Sequence, residues 1–318
     1  MRMTIRMGLA ALAAGLLGLG AAAQAAELKM MTGPQGGSWY PLGGAVAEIA
    51  KRELKGVNIT VQLGAGISNV KGVEAGKADL GLGNSVSTAD AVVGRKPFDK
   101  KTQNVRHVAT LYLQYFQPIV LDKGADTIRT PAQLKGKRMT TQAVGNTGEQ
   151  MARHFLATAG LAYKDLAKVS HGSYNDSVAL MRDGHADAFM LVSTVPAPAV
   201  MDLATGRKVV LMSLDDATYQ KLLKLNAGYA RRNIPAGTYK GQDKDVSAFG
   251  TYTHLIASGK LSNDLVYQLT KAIAKNLASI NAVVPATKGL TPKEMGSDVG
   301  VPLHAGAARF YKEIGAKN

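Results

Sequence analysis

The chain contains no cysteine, which excludes disulfides, thiol nucleophiles and cysteine-ligated metals. It has a single tryptophan, and aromatics make up only 6% of the residues. Its basic residues fall in short scattered groups ("KRELK", "GRKPFDKK", "YARRN") without one long run, so no nucleic-acid partner is expected. The six histidines show no H-x-x-x-H or clustered acidic spacing, so no metal site is expected. A G-x-S-x-G elbow, a Walker loop and a G-x-G-x-x-G fingerprint are all missing, so no cofactor is expected. No nucleophile can be paired with a base, which makes an enzyme the weaker alternative. Beyond the first residues no segment is long and apolar enough to cross a bilayer.

What is present begins with a leader. Arg2 and Arg6 precede "MGLAALAAGLLGLGAAA", and Ala23-Gln24-Ala25 fits the small-x-small rule of a signal peptidase. Residues 1–25 therefore read as a signal peptide cleaved before Ala26, and the expected location is the periplasm. The remaining chain is large enough for one large or two medium cores. The formal charge is +15 and the leader holds two arginines and no acid, so the mature chain carries +15 − 2 = +13. An anionic ligand or a solvated basic surface would each account for that excess.

Apolar strands alternate with helices along the mature chain. "LKMMTG", "VNITVQLG", "ADLGLGNS", "KRMTTQAVG", "ADAFMLVS" and "RKVVLMSL" read as strands. "YPLGGAVAEIAKREL", "ISNVKGVEAGK" (capped by Ser68 or Asn69), "NTGEQMARHFLATAG", "NDSVALMRDG" and "SNDLVYQLTKAIAKNLASINAV" read as helices. This pattern predicts an α/β protein with mostly parallel sheets flanked by helices. "RHVATLYLQYFQPIVL" is too long for one ordinary strand and is expected to cross between two lobes.

A weak repeat supports two lobes. "SNVKGVEAGKADLGLGNS" aligns without gaps with "DSVALMRDGHADAFMLVS", 108 residues later. Val70 meets Val178, Gly76 meets Gly184, Ala78-Asp79 meets Ala186-Asp187, and Ser85 meets Ser193.

The stretch "MMTGPQGGSWYPLGGAVAEIAKREL" joins a strand end to a helix start through a bare backbone. Such a geometry turns unpaired N–H groups toward an anion beyond the strand C-ends. Ser38 and Tyr40 add hydroxyls, and Trp39 a flat apolar wall. A plain tight turn is the alternative. Asn84 and Ser85 end one buried strand, Ser193 ends its counterpart, and Asn146 and Thr147 open a helix. Each could be simple capping; together they would put polar groups from both lobes on one crevice.

At these residues the chain resembles the TAXI-type solute-binding proteins, the extracytoplasmic receptors of one class of TRAP transporters. "TGPQGGSWYPLGGAVAEI", "VQLGAGISNVKGVEAGKADLGLGNSVSTADAV", "LKGKRMTTQAVGNTGEQMARHFL", "MRDGHADAFMLVSTVPAPAV", "IPAGTYKGQDKDVSAFG" and "VPLHAGAARFY" carry the resemblance. It implies a two-lobed periplasmic binding protein fold of type II character, closing on a small organic acid or amino acid such as glutamate or 2-oxoglutarate. It implies a monomer that delivers its carboxylate ligand to ion-gradient-driven TRAP membrane subunits. The family's Gly-Gly-x-x-Tyr element falls on Gly36, Gly37 and Tyr40, and its helix-entry loop on Gly145-Asn146-Thr147-Gly148. Its strand-end pair falls on Asn84-Ser85, where Asn84 is one methylene shorter than the usual glutamine and Val86 replaces the usual acid. The implied lobes are 26–117, then 118–232, with 233–318 returning to the first. The expected half-sites are Gly36, Gly37, Ser38, Tyr40, Asn84 and Ser85 from one lobe and Gln142, Asn146, Thr147 and Ser193 from the other. Arg138 is a candidate charge partner, with a solvated strand entry as the competing reading.

Overall fold

The protein is described by a computed structural model covering residues 26–33, 38–121 and 128–316. The leader therefore lies outside the described residues, as do Gly36 and Gly37. A ten-stranded sheet runs through the whole molecule in the order β2-β1-β3-β10-β4-β7-β5-β6. Its first half holds β1 (Ala26–Met31), β2 (Val57–Gln62) and β3 (Leu80–Asn84). Its second half holds β5 (Arg138–Gln142), β6 (Lys168–Gly172) and β7 (Ala188–Ser193). Each trio is parallel, and the order is a palindrome about the central pair.

The central pair joins the halves. β4 (Val105–Leu121) is 17 residues long and β10 (Val246–Ser258) is 13. They pair antiparallel with each other, β10 then pairing with β3 and β4 with β7. Two short strands flank them: β8 (Val209–Leu211) on β4 and β9 (Tyr229–Ile234) on β10.

Helices α1 (Trp39–Glu53), α2 (Gly66–Glu74) and α3 (Ser85–Val93) belong to the first half. Helices α4 (Thr147–Ala157), α5 (Tyr174–Arg182), α6 (Pro198–Gly206) and α7 (Asp216–Leu225) belong to the second. α8 (Asn263–Lys275), α9 (Leu277–Val283) and α10 (Ala305–Glu313) return to cover the first. In α8, Val266, Leu269, Thr270 and Ile273 are buried at helical spacing, and Ser262 caps the start by accepting from the Leu265 N–H at 3.2 Å. The tail read as one long helix is two, because Asn276 leaves the helical region at φ −115°, ψ 27°.

The repeat is structural. α2 and α5 start 108 residues apart, as do β3 and β7. Gly76 and Gly184 both stand past a helix end in the left-handed region, at φ 70° and 69°, where a side chain would strain the backbone. Asp79 exchanges two bonds with the Lys29 backbone, at 2.8 and 2.9 Å. Asp187 does the same with the Arg138 backbone, both at 2.8 Å. In each half the aspartate pins the start of one strand to its neighbour.

Separate cores fill the two halves. Met30, Leu42, Ile49, Leu80, Ile273 and Tyr311 pack in the first. Phe116, Phe155 and Phe249 stack in the second, with Phe116 centroids 5.4 and 4.7 Å from the other two. Phe189, Leu191 and Leu203 fill the opposite sheet face. Among the described residues no helix is long and apolar enough to cross a membrane.

Candidate solute-binding crevice

In both halves the parallel strands point their C-ends at the junction, and helices start there. The geometry brings α2 and α3 of one half against α4 of the other. Thr147 Oγ1 lies 3.0 Å from Ser87 Oγ. A Cβ on Gly66 would stand deep inside van der Waals contact of Thr147 Oγ1 and 3.3 Å from Asn84 Nδ2. Further along the same seam Gln150 donates to the buried carboxylate of Asp90, whose other oxygen takes Arg95 Nη1 at 2.9 Å. Burial pushes the Asp90 carboxyl up to about 6, against the pull of Arg95.

α1, α2, α3 and α4 begin without a side-chain cap, at Ser38, Ala65, Asn84 and Asn146. α5, which also starts at a strand C-end, is capped by Ser173, as α7, α8 and α10 are by Asp215, Ser262 and His304, while α6 and α9 start uncapped. In α3 the Val86 N–H goes to Thr251 Oγ1 at 3.2 Å; the other first-turn N–H groups of α1–α4 are left for another acceptor.

Each expected site residue other than Gly36 and Gly37 can be placed. Ser38 bonds Tyr112 Oη at 2.7 Å, and Tyr40 is 37% exposed on α1. Asn84 is buried, with no partner for its Oδ1. Gln142 closes β5 and donates Nε2 to Tyr174 Oη at 2.9 Å, leaving its Oε1 buried and unpartnered. Asn146 turns its amide back to the Ala143 carbonyl at 3.3 Å. Thr147 sits in the seam, and half-buried Ser193 pairs with Tyr115 across the β7–β4 ladder. Ser85 is occupied otherwise. It donates to the Gly228 carbonyl at 2.7 Å and accepts from the Tyr252 N–H at 3.0 Å, tying α3 to the central strands.

Two expectations change, and the open choice at Arg138 goes to a role outside the crevice. Trp39 is no wall of the crevice: it is 8% exposed in the first core and donates Nε1 to Thr253 Oγ1 at 3.1 Å. Asn69 is not the N-cap residue of α2, although its Oδ1 accepts from the Ala65 N–H at 3.0 Å where that helix starts. It lies buried inside α2, donating to the carbonyls of Thr32 and Leu82 at 2.6 and 2.8 Å. Arg138 stands at the N-end of β5, four residues from Gln142 and at the far end of the strand from the crevice. Its guanidinium grips Asp187 at 2.5 and 3.1 Å, and the Gly184 carbonyl at 2.6 Å. Arg138→Ala is expected to lower the unfolding midpoint slightly and to leave solute affinity unchanged by calorimetry, since half-exposed pairs contribute little. A lost affinity would put that arginine back at the site.

Tyr174 and Tyr112 went unread in the sequence. Tyr174 opens α5, accepts from Gln142, and donates to the Val192 carbonyl at 2.7 Å. Burial raises its phenol, and the neighbouring Tyr112 adds to the shift. The phenol thus stays protonated and the relay stays fixed. Helix-start position was the one signal available for Tyr174, by analogy with Tyr40. Among the described residues no cluster of three or more His, Asp or Glu could hold a metal.

Two half-sheets joined by two long antiparallel strands, with helix starts facing across the junction, define the two-lobed periplasmic binding protein fold. Solved structures share it. A putative L-cystine ABC transporter protein from Listeria monocytogenes matches at TM-score 0.52 and 16% identity, covering 83% of this chain and 97% of that one. The substrate-binding protein of an amino acid ABC transporter matches at TM-score 0.50 and 14% identity, covering 82% and 99%. Residues 30–315 match the NMT1-like family, and the chain belongs to that family.

Proposed function

We propose that the chain is an extracytoplasmic receptor that captures a small carboxylate and passes it to a membrane transporter, without turning it over. One observation carries the reading: uncapped helix starts from both halves converge on one crevice. Hydrogen bonds to a charged group contribute roughly 1.5–3 kcal/mol each. Three or four of them reach the ~8 kcal/mol of micromolar binding, with apolar burial offsetting the ordering costs. In this reading 1–25 is removed on export, and the lobes are 26–117 with 233–318, and 118–232. Gly36 and Gly37 complete the α1 side. Ser38, Tyr40, Asn84, Gln142, Asn146, Thr147 and Ser193 line the two walls, and Ser85 anchors its helix.

The TAXI resemblance supports a TRAP partner driven by an ion gradient. The fold neighbours named above belong to ABC systems, which supports an ATP-driven partner as the second reading. Uptake in vesicles separates them: transport that follows the ion gradient and ignores ATP supports the first.

Thermal unfolding against amino acids, hydroxy acids, keto acids and dicarboxylates tests the receptor itself. A ligand at 100 times its Kd adds about 2.7 kcal/mol, a rise of several degrees. Asn84→Ala is expected to remove most of that rise. A solute whose mass changes on incubation would instead establish an enzyme.

A further inference from the structure

The two ends of the parallel strands differ in charge. Each connection from a helix back to the next strand carries charged residues, such as Lys55, Lys77, Asp79, Lys164, Asp183 and Arg207. The six connections that leave strand C-ends carry none: Thr32 to Ser38, Leu63 to Ala65, the direct Asn84 to Ser85 step, Ala143 to Asn146, Ser173, and Thr194 to Ala197. In a chain that is 19% charged, loops of this combined length would carry roughly three or four charged residues. The first turns beyond them add only Glu149 and Asp176. Glu149 is held by Arg153 at 2.7 Å, and Asp176 accepts from Ser173 Oγ at 2.7 Å. A strongly basic protein thus offers its crevice no cationic side chain from these loops.

The acceptors point the same way. Tyr174 spends its proton on the Val192 carbonyl, so toward Gln142 it can only accept. That fixes the amide of Gln142 with Nε2 inward and Oε1 as a free buried acceptor. Asn84, 4% exposed at the start of α3, leaves a second amide oxygen without a partner. A carboxylate oxygen would be repelled by either; an N–H or O–H would satisfy them.

We infer that the solute is a small monocarboxylate that also carries an amino, hydroxyl or amide donor, and that dicarboxylates are excluded. This rests on the receptor reading. One carboxylate can take the free N–H groups and positive ends of α1–α4. A second would be buried without a counter-charge. The donor closes the ligand's contacts with Asn84 and Gln142.

Matched pairs test this on the mature chain, after unfolding and refolding to strip bound solute: glutamine against glutamate, asparagine against aspartate, lactate against propionate, and lactate against malate. Binding is read by calorimetry, and the solute released before stripping is identified by mass spectrometry. We expect the donor-bearing partner with a single carboxylate to bind at least about tenfold more tightly in every responding pair. Tyr174→Phe, which frees the Gln142 amide to turn, is expected to narrow the gap between lactate and propionate while the protein stays folded. A dicarboxylate that binds as tightly as its partner, or a released dicarboxylate, overturns the inference and leaves the receptor reading standing. A folded protein that releases no solute and binds none of these overturns both.

Discussion

Gly66→Val is expected to leave the protein folded and to weaken solute binding by at least about a hundredfold. Gly66 opens α2 with an ordinary backbone; it is absent from the glycines with positive φ. Its bareness is demanded by the other half of the molecule, because a Cβ would collide with Thr147 Oγ1 at the start of α4. Beside it a Cβ on Gly145 would come within 3.5 Å of Ser68 Oγ. At Gly66 the seam thus has no room for a methyl group beside Thr147, while at Gly145 a methyl would make ordinary contact, and a valine at position 66 wedges the halves open. A solute held by one wall loses about two charge-assisted bonds, roughly 3–6 kcal/mol or two to four decades of affinity. Only the closed arrangement makes all contacts at once. Calorimetry reads the affinity, and small-angle scattering reads the closure without needing the solute. Adding Thr147→Ala to Gly66→Ala is expected to restore compaction. Full affinity and compaction in Gly66→Val would mean that the halves do not close at this seam.

Much of this architecture was legible because it rests on local pattern. Apart from β6, whose "KVSHG" went unread, the strands of both halves are short apolar runs ending in glycine or small polar residues, and the 108-residue repeat carried the plan from one half to the other. β10 went unread. Its sequence "VSAFGTYTHLIAS" mixes glycine, threonine and histidine without clear alternation, since it is buried on both faces and satisfied by partners far away in sequence. Gly250 in that strand passes so close to the Gln114 carbonyl that only the pairing explains it. The site was legible by position and not by direction. Asn84, Gln142 and Thr147 stand where strand ends and helix starts put them. Ser85, beside Asn84, turns the other way because Gly228, 143 residues on, offers it a carbonyl. Asn69 has the composition of a cap, yet two carbonyls of neighbouring strand ends hold it inside the fold. Side-chain direction of this kind is set by tertiary partners, which no spacing rule reports.

Between pH 7 and pH 5 the protein is expected to lose about 4 kcal/mol of stability, most of it through one buried histidine pair. His107 and His254 join Nδ1 to Nδ1 at 3.0 Å inside the first half, both essentially unexposed. Thr88 donates its hydroxyl proton to the Asn84 carbonyl at 2.8 Å, so it accepts from His254 Nε2–H, also at 2.8 Å. His254 Nδ1 is then the acceptor and His107 Nδ1–H the donor, and burial keeps both rings neutral. Burial lowers His107 to about 4, and burial with the neighbouring ring lowers His254 well below the usual histidine value. Between 6.5 and 4 the unfolded chain therefore binds protons that the folded one refuses, and stability falls with pH. For His107 alone the loss is about 2 kcal/mol at pH 5. His154, also lowered to about 4 by burial and by nearby Arg95, adds a loss of about 2 kcal/mol, while Asp90 works in the opposite sense: its carboxyl, raised to about 6, takes up a proton in the folded state first and returns about 1 kcal/mol. Urea denaturation at the two pH values measures the net slope. Replacing the pair by apolar residues of similar size, His107→Met with His254→Phe, is expected to flatten it, because Thr88 keeps its bond to Asn84. An unchanged slope in that variant would assign the acid sensitivity to other groups. The same hydroxyl links the pair to the start of α3, so acid that breaks the pair is expected to loosen the Asn84 wall of the crevice before the second half unfolds.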